Sequence, residues 1–177
     1  MYKIKQLLAL NRKILHTQDL AAAWGMDNVN TLYTTIRRYV EKGILFAIRK
    51  GLYATVPIEK LDPFELGAAI NHGYAYVSCE TVLANAGAIA QEVTAYTFVA
   101  QTSQVIELAG YRYQFRKLND KYLYNSAGVD LRDGVLWATP ERALADLLYF
   151  SPHYHIDSRK VLNQKLVREI QKEVGYL

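Results

Sequence analysis

The apolar positions of the first sixty residues change period several times. Ile4, Leu7 and Leu8 keep helical spacing until Asn11 interrupts it. "KILH" (13–16) reads as a short extended piece. Thr17 stands where a cap is wanted for the short Ala-rich helix "QDLAAAWG", and Gly25 stops that helix. The link "MDN" is tight, with Asp27 or Asn28 as the next cap. A third helix is predicted from about Val29 to Lys42, ended by Gly43. Two β-prone runs follow, "ILFAI" (44–48) and "LYATV" (52–56), joined at Arg49-Lys50-Gly51. Gly51 suits the positive φ of a tight turn.

That order has a geometric consequence. The link between the second and third helices is too short to separate them, so they must cross steeply, as in a helix-turn-helix. A hairpin directly after the third helix adds a wing. At about 100° per residue, Val29, Leu32, Ile36 and Val40 form one stripe of the third helix, expected to face the core. Asn30, Thr34, Arg37, Arg38 and Glu41 fall on the other side, with Thr31 and Tyr33 on the flanks. Arg can fork onto guanine, Asn can pair with adenine, and Thr can reach phosphate or a thymine methyl. A face turned merely to water would carry more Glu/Lys pairs at four-residue spacing, and only Arg37 with Glu41 has that spacing of opposite charges here. The expected DNA-binding residues are therefore Asn30, Thr31, Tyr33, Thr34, Arg37 and Arg38 on the helix. Arg49 and Lys50 at the hairpin tip are expected to grip the phosphate backbone. The competing reading is a surface hairpin, since winged helices also serve as protein–protein modules.

Beyond Pro57 the pattern changes. Asp62-Pro63 starts a helix, "PFELGAAINHG". "YAYVS" is extended, and "CETVLANAGAIA" is helical with Ser78 as its cap. "VTAYTFVAQ" and "QVIELAG" read as strands, and "YRYQFRKL" alternates as a half-buried strand does. "KYLYN" and "GVLWAT" also read as extended. Thr139-Pro140-Glu141 begins the helix "PERALADLLYF", and "SRKVLNQKLVREIQKEV" is a last amphipathic helix. The expected fold class is α+β. A winged helix-turn-helix domain over residues 1–57 precedes a mixed α+β domain over residues 58–177.

Charge sharpens this division. Residues 1–57 hold nine Lys/Arg and three Asp/Glu, giving +6, while residues 58–177 hold twelve and fourteen, giving −2. A basic module joined to a near-neutral one suits a polyanion-binding head and a body with another task. A solvated basic face with no partner remains the alternative on charge alone. No apolar run is long enough to span a bilayer, and the N-terminus lacks the cleavage pattern of a signal peptide. One cysteine, Cys79, excludes an intramolecular disulfide and a multi-cysteine zinc site within this sequence. A cytoplasmic location is expected.

Catalytic chemistry is sparse. The sequence has no Gly-rich phosphate loop and no Gly-Ser with paired aspartates for nucleotidyl transfer. His153 and His155 near Asp157 make a weak metal motif. Cys79 with His72 lacks anything to orient it, and a lone cysteine reads as a small core residue. Asp130 and Asp133 are read as loop residues, explained by turn chemistry. The fourteen tyrosines sit mostly at strand-like positions, where packing explains them. No enzyme activity, catalytic residue, metal or cofactor is expected.

Three segments resemble the AbiEi-type antitoxins of bacterial AbiE toxin–antitoxin systems: "RKGLYATVP", "YVSCETVLANAGAI" and "VLWATPERALADLLYF". Their order and spacing extend the resemblance over nearly the whole chain, although the chain is short for the family and its last helix small. The resemblance implies a head that binds inverted repeats in the promoter of its own operon. It also implies a C-terminal domain that counteracts a partner toxin resembling a nucleotidyltransferase, without requiring stable contact with it. Double-stranded DNA is thus the expected partner, bound by a monomer or dimer, with cooperative binding of two monomers as one arrangement. A ligand-responsive winged-helix repressor unconnected with any toxin is the alternative.

Overall fold

The computed structural model describes residues 2–177. It is a mixed α+β chain with eight α-helices and two sheets among those residues. It divides into two compact units, residues 1–70 and residues 71–177. The division falls later than Pro57, because the helix Pro63–Ile70 belongs with the first unit.

In unit 1 the order is α1 (Tyr2–Ala9), β1 (Ile14–His16), α2 (Thr17–Trp24), α3 (Val29–Glu41), β2 (Phe46–Arg49), β3 (Leu52–Ala54) and α4 (Pro63–Ile70). The cap of α2 is His16 rather than Thr17: the His16 backbone N–H donates to Asp19 Oδ2 at 2.8 Å, which satisfies the helix start from within the first turn. Gly25 ends α2 in the left-handed region at φ 59°, as its sequence position predicts. Asn28, not Asp27, caps α3, accepting from the Thr31 backbone N–H at 3.0 Å. Strands β1, β3 and β2 form an antiparallel sheet in that order. Leu7, Leu15, Leu20, Trp24, Leu32, Ile36, Leu45 and Tyr53 make the core, drawn from α1, β1, α2, α3, β3 and the link before β2. The Trp24 indole N–H donates to the Lys3 carbonyl at 3.1 Å and ties α1 to α2. At α4, Asp62 accepts from the Phe64 and Glu65 backbone N–H groups, and Pro63 needs no donor there.

Unit 2 is built on six strands: β4 (Ala75–Val77), β5 (Tyr96–Ala100), β6 (Gln104–Leu108), β7 (Tyr111–Lys117), β8 (Val129–Arg132) and β9 (Val135–Ala138). Their order is β6-β7-β5-β4-β9-β8, with β5/β7 and β4/β9 parallel and the other pairs antiparallel. The helices are α5 (Cys79–Asn85), α6 (Asp120–Leu123), α7 (Pro140–Phe150) and α8 (Gln164–Val174). Buried Tyr76, Val77, Phe98, Tyr113 and Phe115 from the sheet, with Leu144 and Leu147 from α7, supply much of its core.

Several sequence expectations change here. "KYLYN" is not extended: Asn119 caps α6 by accepting from the Lys121 N–H, and a helical turn forms instead. Asp130 lies in strand β8, not in a loop. Asp133 is a turn residue, and with Gly134 it takes positive φ (48° and 82°) to close the β8–β9 hairpin. The last helix starts at Gln164 rather than near residue 158. Asn163 caps it by accepting from the Lys165 and Leu166 N–H groups, and Arg159–Val161 forms a separate 3-10 turn. Likewise α4 ends at Ile70 rather than Gly73, and α5 ends at Asn85 rather than residue 90.

Candidate nucleic-acid interface

The third helix is the most amphipathic element of unit 1, and its two faces differ in kind. Leu32, Thr35 and Ile36 are buried, with Tyr39 and Val40 half-buried behind them. The inward stripe is therefore centred between Thr35 and Ile36. This corrects the expected stripe in one place: Val29 is 60% exposed and contributes nothing to the core. The buried Thr35 hydroxyl is satisfied by donating to the Thr31 carbonyl at 2.8 Å.

Asn30, Thr31, Tyr33, Thr34, Arg37 and Arg38 are all exposed, so the helix presents the six side chains named from sequence to solvent. Thr34 donates its hydroxyl to the Asn30 carbonyl at 2.8 Å. Arg37 pairs with Glu41 at 2.9 Å, but both are well exposed, and such a surface pair is worth only a few tenths of a kcal/mol. It yields readily to a stronger anion. Arg38 makes no ion pair among the described residues.

The hairpin separates its two cations. Arg49 ends β2 opposite Leu52, past a register irregularity between Ala47 and Arg49. Its Nη2 donates to the Ile70 carbonyl at 2.7 Å, at the C-terminal end of α4. A cation there also meets the negative end of the helix dipole. Lys50 is exposed at the turn beside Gly51 (φ 82°) and makes no ion pair among the described residues. The two residues were expected to act alike, but one donor of Arg49 is committed to structure. Its carbonyl partner lies outside the hairpin, in a helix assigned to the other domain by sequence. On β3, burial first and the neighbouring Tyr33 phenol second push the Tyr53 hydroxyl above its ordinary pKa.

All of the net formal charge lies in this unit. Residues 1–70 carry ten Lys/Arg and six Asp/Glu, and residues 71–177 carry eleven of each, so the chain's +4 belongs to unit 1.

Unit 2 holds a polar centre that sequence reasoning did not single out. Arg142 and Asp146, one turn apart on α7, are both fully buried and bond Nε to Oδ1 at 2.8 Å. Arg142 Nη1 donates to the Asn125 and Ala127 carbonyls at 2.9 and 2.8 Å, and Nη2 donates to the Tyr76 hydroxyl at 2.8 Å. Ser78 Oγ donates to Asp146 Oδ2 at 2.7 Å, and the Tyr176 hydroxyl donates to Oδ1 at 2.6 Å. Gly128 (φ 68°) lets the loop approach: a Cβ there would come within 2.8 Å of Arg142 Cβ. Burial opposes the Arg142 charge, yet Asp146 and the two phenols raise its proton affinity overall. Burial, followed by Asp146, pushes the hydroxyls of Tyr76 and Tyr176 well up. The available signal was an Arg and an Asp four apart on a helix otherwise apolar beyond Glu141 in its first turn.

The other chemical candidates are not brought together. Cys79 is buried at φ 53°, and burial followed by Asp146 pushes its thiol up, away from the thiolate a nucleophile needs. His155 stands 3.6 Å from Asp157, largely exposed. No group of three or more His, Cys, Asp or Glu side chains suited to a metal occurs among the described residues. No helix among the described residues is long and apolar enough to cross a membrane. Neither models of known protein families nor curated proteins give a match to this chain.

Proposed function

We propose that unit 1 is a winged helix-turn-helix that binds double-stranded DNA, and that the chain is an AbiE-like antitoxin repressing its own operon. In this reading α3 enters the major groove. Asn30, Thr34, Arg37 and Arg38 read or position the bases, Thr31 and Tyr33 flank them, and Lys50 holds the phosphate backbone with the remaining donors of Arg49. The observation that carries it is the outward face of α3, with its exposed amide, hydroxyls and guanidiniums, in the unit that holds the chain's entire net charge. Unit 2 then opposes a nucleotidyltransferase-like toxin, and the protein is a binding protein rather than an enzyme.

A salt-titrated binding assay tests this, with the full chain, its own upstream duplex and a scrambled duplex of equal length. Selective binding of the upstream DNA, weakening steeply with salt, is the expected result. Equal weak binding to both duplexes, or none, would make unit 1 a protein-interaction module. A second reading, a ligand-responsive repressor, has one observation in its favour. An open cleft of about 220 Å³ in unit 2 is lined by Glu80, Gln91, Thr94, Thr97, Gln114 and Tyr154. Glu80 Oε1 accepts from Arg116 at 2.6 Å, and Oε2 has no partner among the described residues. A metabolite that raises the melting temperature and releases the DNA would favour that reading.

A further inference from the structure

We propose that Val29, with Tyr33 beside it, is a specificity-determining residue that contacts a thymine C5-methyl in the bound DNA. The inference rests on the DNA-binding reading of α3 and deepens it. Its starting point is an anomaly of burial. Val29 is apolar, lies at the first position of an amphipathic helix, and is 60% exposed, while Tyr33, one turn on, is 43% exposed. Four residues apart, the two share one edge of the helix. Asn30, Thr34 and Arg37 occupy the middle of the outward face, and Thr31 and Arg38 its opposite edge. The face is therefore asymmetric, with an apolar edge on one side and a hydroxyl and a guanidinium on the other.

Neither apolar residue is held outward by chance of a frayed end. Asn28 caps the helix by accepting from the Thr31 N–H at 3.0 Å, which fixes the backbone of the first turn. A helical valine keeps essentially one χ1 rotamer, so its two methyls point in a set direction. The first turn of a recognition helix is the part that meets base edges in the major groove. The one apolar group displayed there by natural unmodified bases is the methyl of thymine. The positive charge of unit 1 supplies sequence-independent attraction, and the Val29 edge supplies preference.

The test removes the methyl from the DNA rather than only the side chain from the protein. The upstream segment protected by the full chain is resynthesised with deoxyuridine in place of thymidine, one position at a time, and affinities are measured for wild type, Val29→Ala and Tyr33→Ala. Wild type is expected to lose about fourfold at a contacted position, the value of one buried methyl-sized group. Val29→Ala is expected to bind the thymidine and deoxyuridine duplexes equally there, while still preferring upstream DNA to a scrambled duplex. Val29 takes no part in the core, so the variant keeps its fold, checked by its circular dichroism. Selective binding with no deoxyuridine effect at any position would overturn the inference and leave the DNA-binding reading standing. So would a deoxyuridine penalty that survives unchanged in Val29→Ala, whatever Tyr33→Ala does. Absence of selective DNA binding by the wild type would overturn both.

Discussion

The Arg49 guanidinium commits a donor to the Ile70 carbonyl, while Lys50, one residue on, projects from the turn without an ion pair among the described residues. Two adjacent cations should therefore respond differently to removal. Lys50→Ala is expected to leave the urea midpoint of unit 1 unchanged and to reduce the slope of log K against log salt by about one. Arg49→Ala is expected to lower stability by roughly 1 kcal/mol, because it leaves the last carbonyl of α4 without its charged donor. Salt-titrated binding and urea unfolding of both variants check this. An unchanged slope in Lys50→Ala would remove the hairpin tip from the phosphate contacts. The sequence made this pair visible as a basic turn but could not separate its members, since the partner of Arg49 lies twenty-one positions away. Val29 shows the same limit. Helical periodicity placed it in the stripe expected to face the core, yet it is 60% exposed, because only the reach of the neighbouring elements decides whether such a position is covered.

At the scale of elements, legibility followed the range of the forces involved. Gly25 ending α2, Asp62-Pro63 starting α4 and Thr139-Pro140 starting α7 depend on contacts within four residues, and the sequence showed them directly. Strand β8 was missed because "VDLR" is short, mostly exposed and flanked by turn residues, and only its pairing with β9 makes it a strand. The α7 centre was missed for a related reason. Arg142 and Asp146 are four apart and readable as a pair, but Tyr76, Ser78, Tyr176 and two loop carbonyls reach them from distant parts of the sequence. With every partner in place the pair is tolerated in a dry core, and with one removed it is not. Arg142→Ala is expected to cost about 3–5 kcal/mol in urea unfolding of unit 2, by stranding Asp146. Arg142→Met with Asp146→Leu should cost clearly less than the single change. A double variant at least as damaged as the single one would mean the site depends on the network's shape rather than on charge compensation.

The same centre sets a pH dependence whose sign follows from its phenols. Tyr76 and Tyr176 have folded-state pKa values raised above the ordinary 10.0, by burial first and Asp146 second. The folded state therefore holds these protons more tightly than the unfolded chain does. The stability linked to them is fully present below pH 10 and is lost as pH rises above it. Cys79, raised above its ordinary 9.0, adds a loss of the same sign that begins about one pH unit lower. Unit 2 is expected to weaken progressively in alkaline melts above about pH 9. Tyr176→Phe should delay that loss while weakening the protein near neutrality, where its bond to Asp146 is removed. A melting temperature that is flat from pH 8 to 11 would contradict the assignment of buried neutral phenols.

For the molecule as a whole, the division into two units and the distribution of charge coincide. Unit 1 has its own core, from Leu7 through Tyr53, and all of the net charge; unit 2 has its own six-stranded sheet and is formally neutral. If sequence-independent attraction to DNA resides in charge, it should travel with residues 1–70 alone. A fragment ending at Ile70 keeps the Arg49–Ile70 and Lys13–Glu65 contacts, which a fragment ending at Pro57 would lose. The longer fragment is expected to unfold cooperatively and to show the salt slope of the full chain on upstream DNA. The shorter one is expected to be less stable. Where two copies bind a pair of half-sites, any loss of affinity in the longer fragment at unchanged slope would locate the cooperative contact in unit 2. A slope that falls when residues 71–177 are removed would instead place phosphate contacts in the neutral unit, against the charge argument.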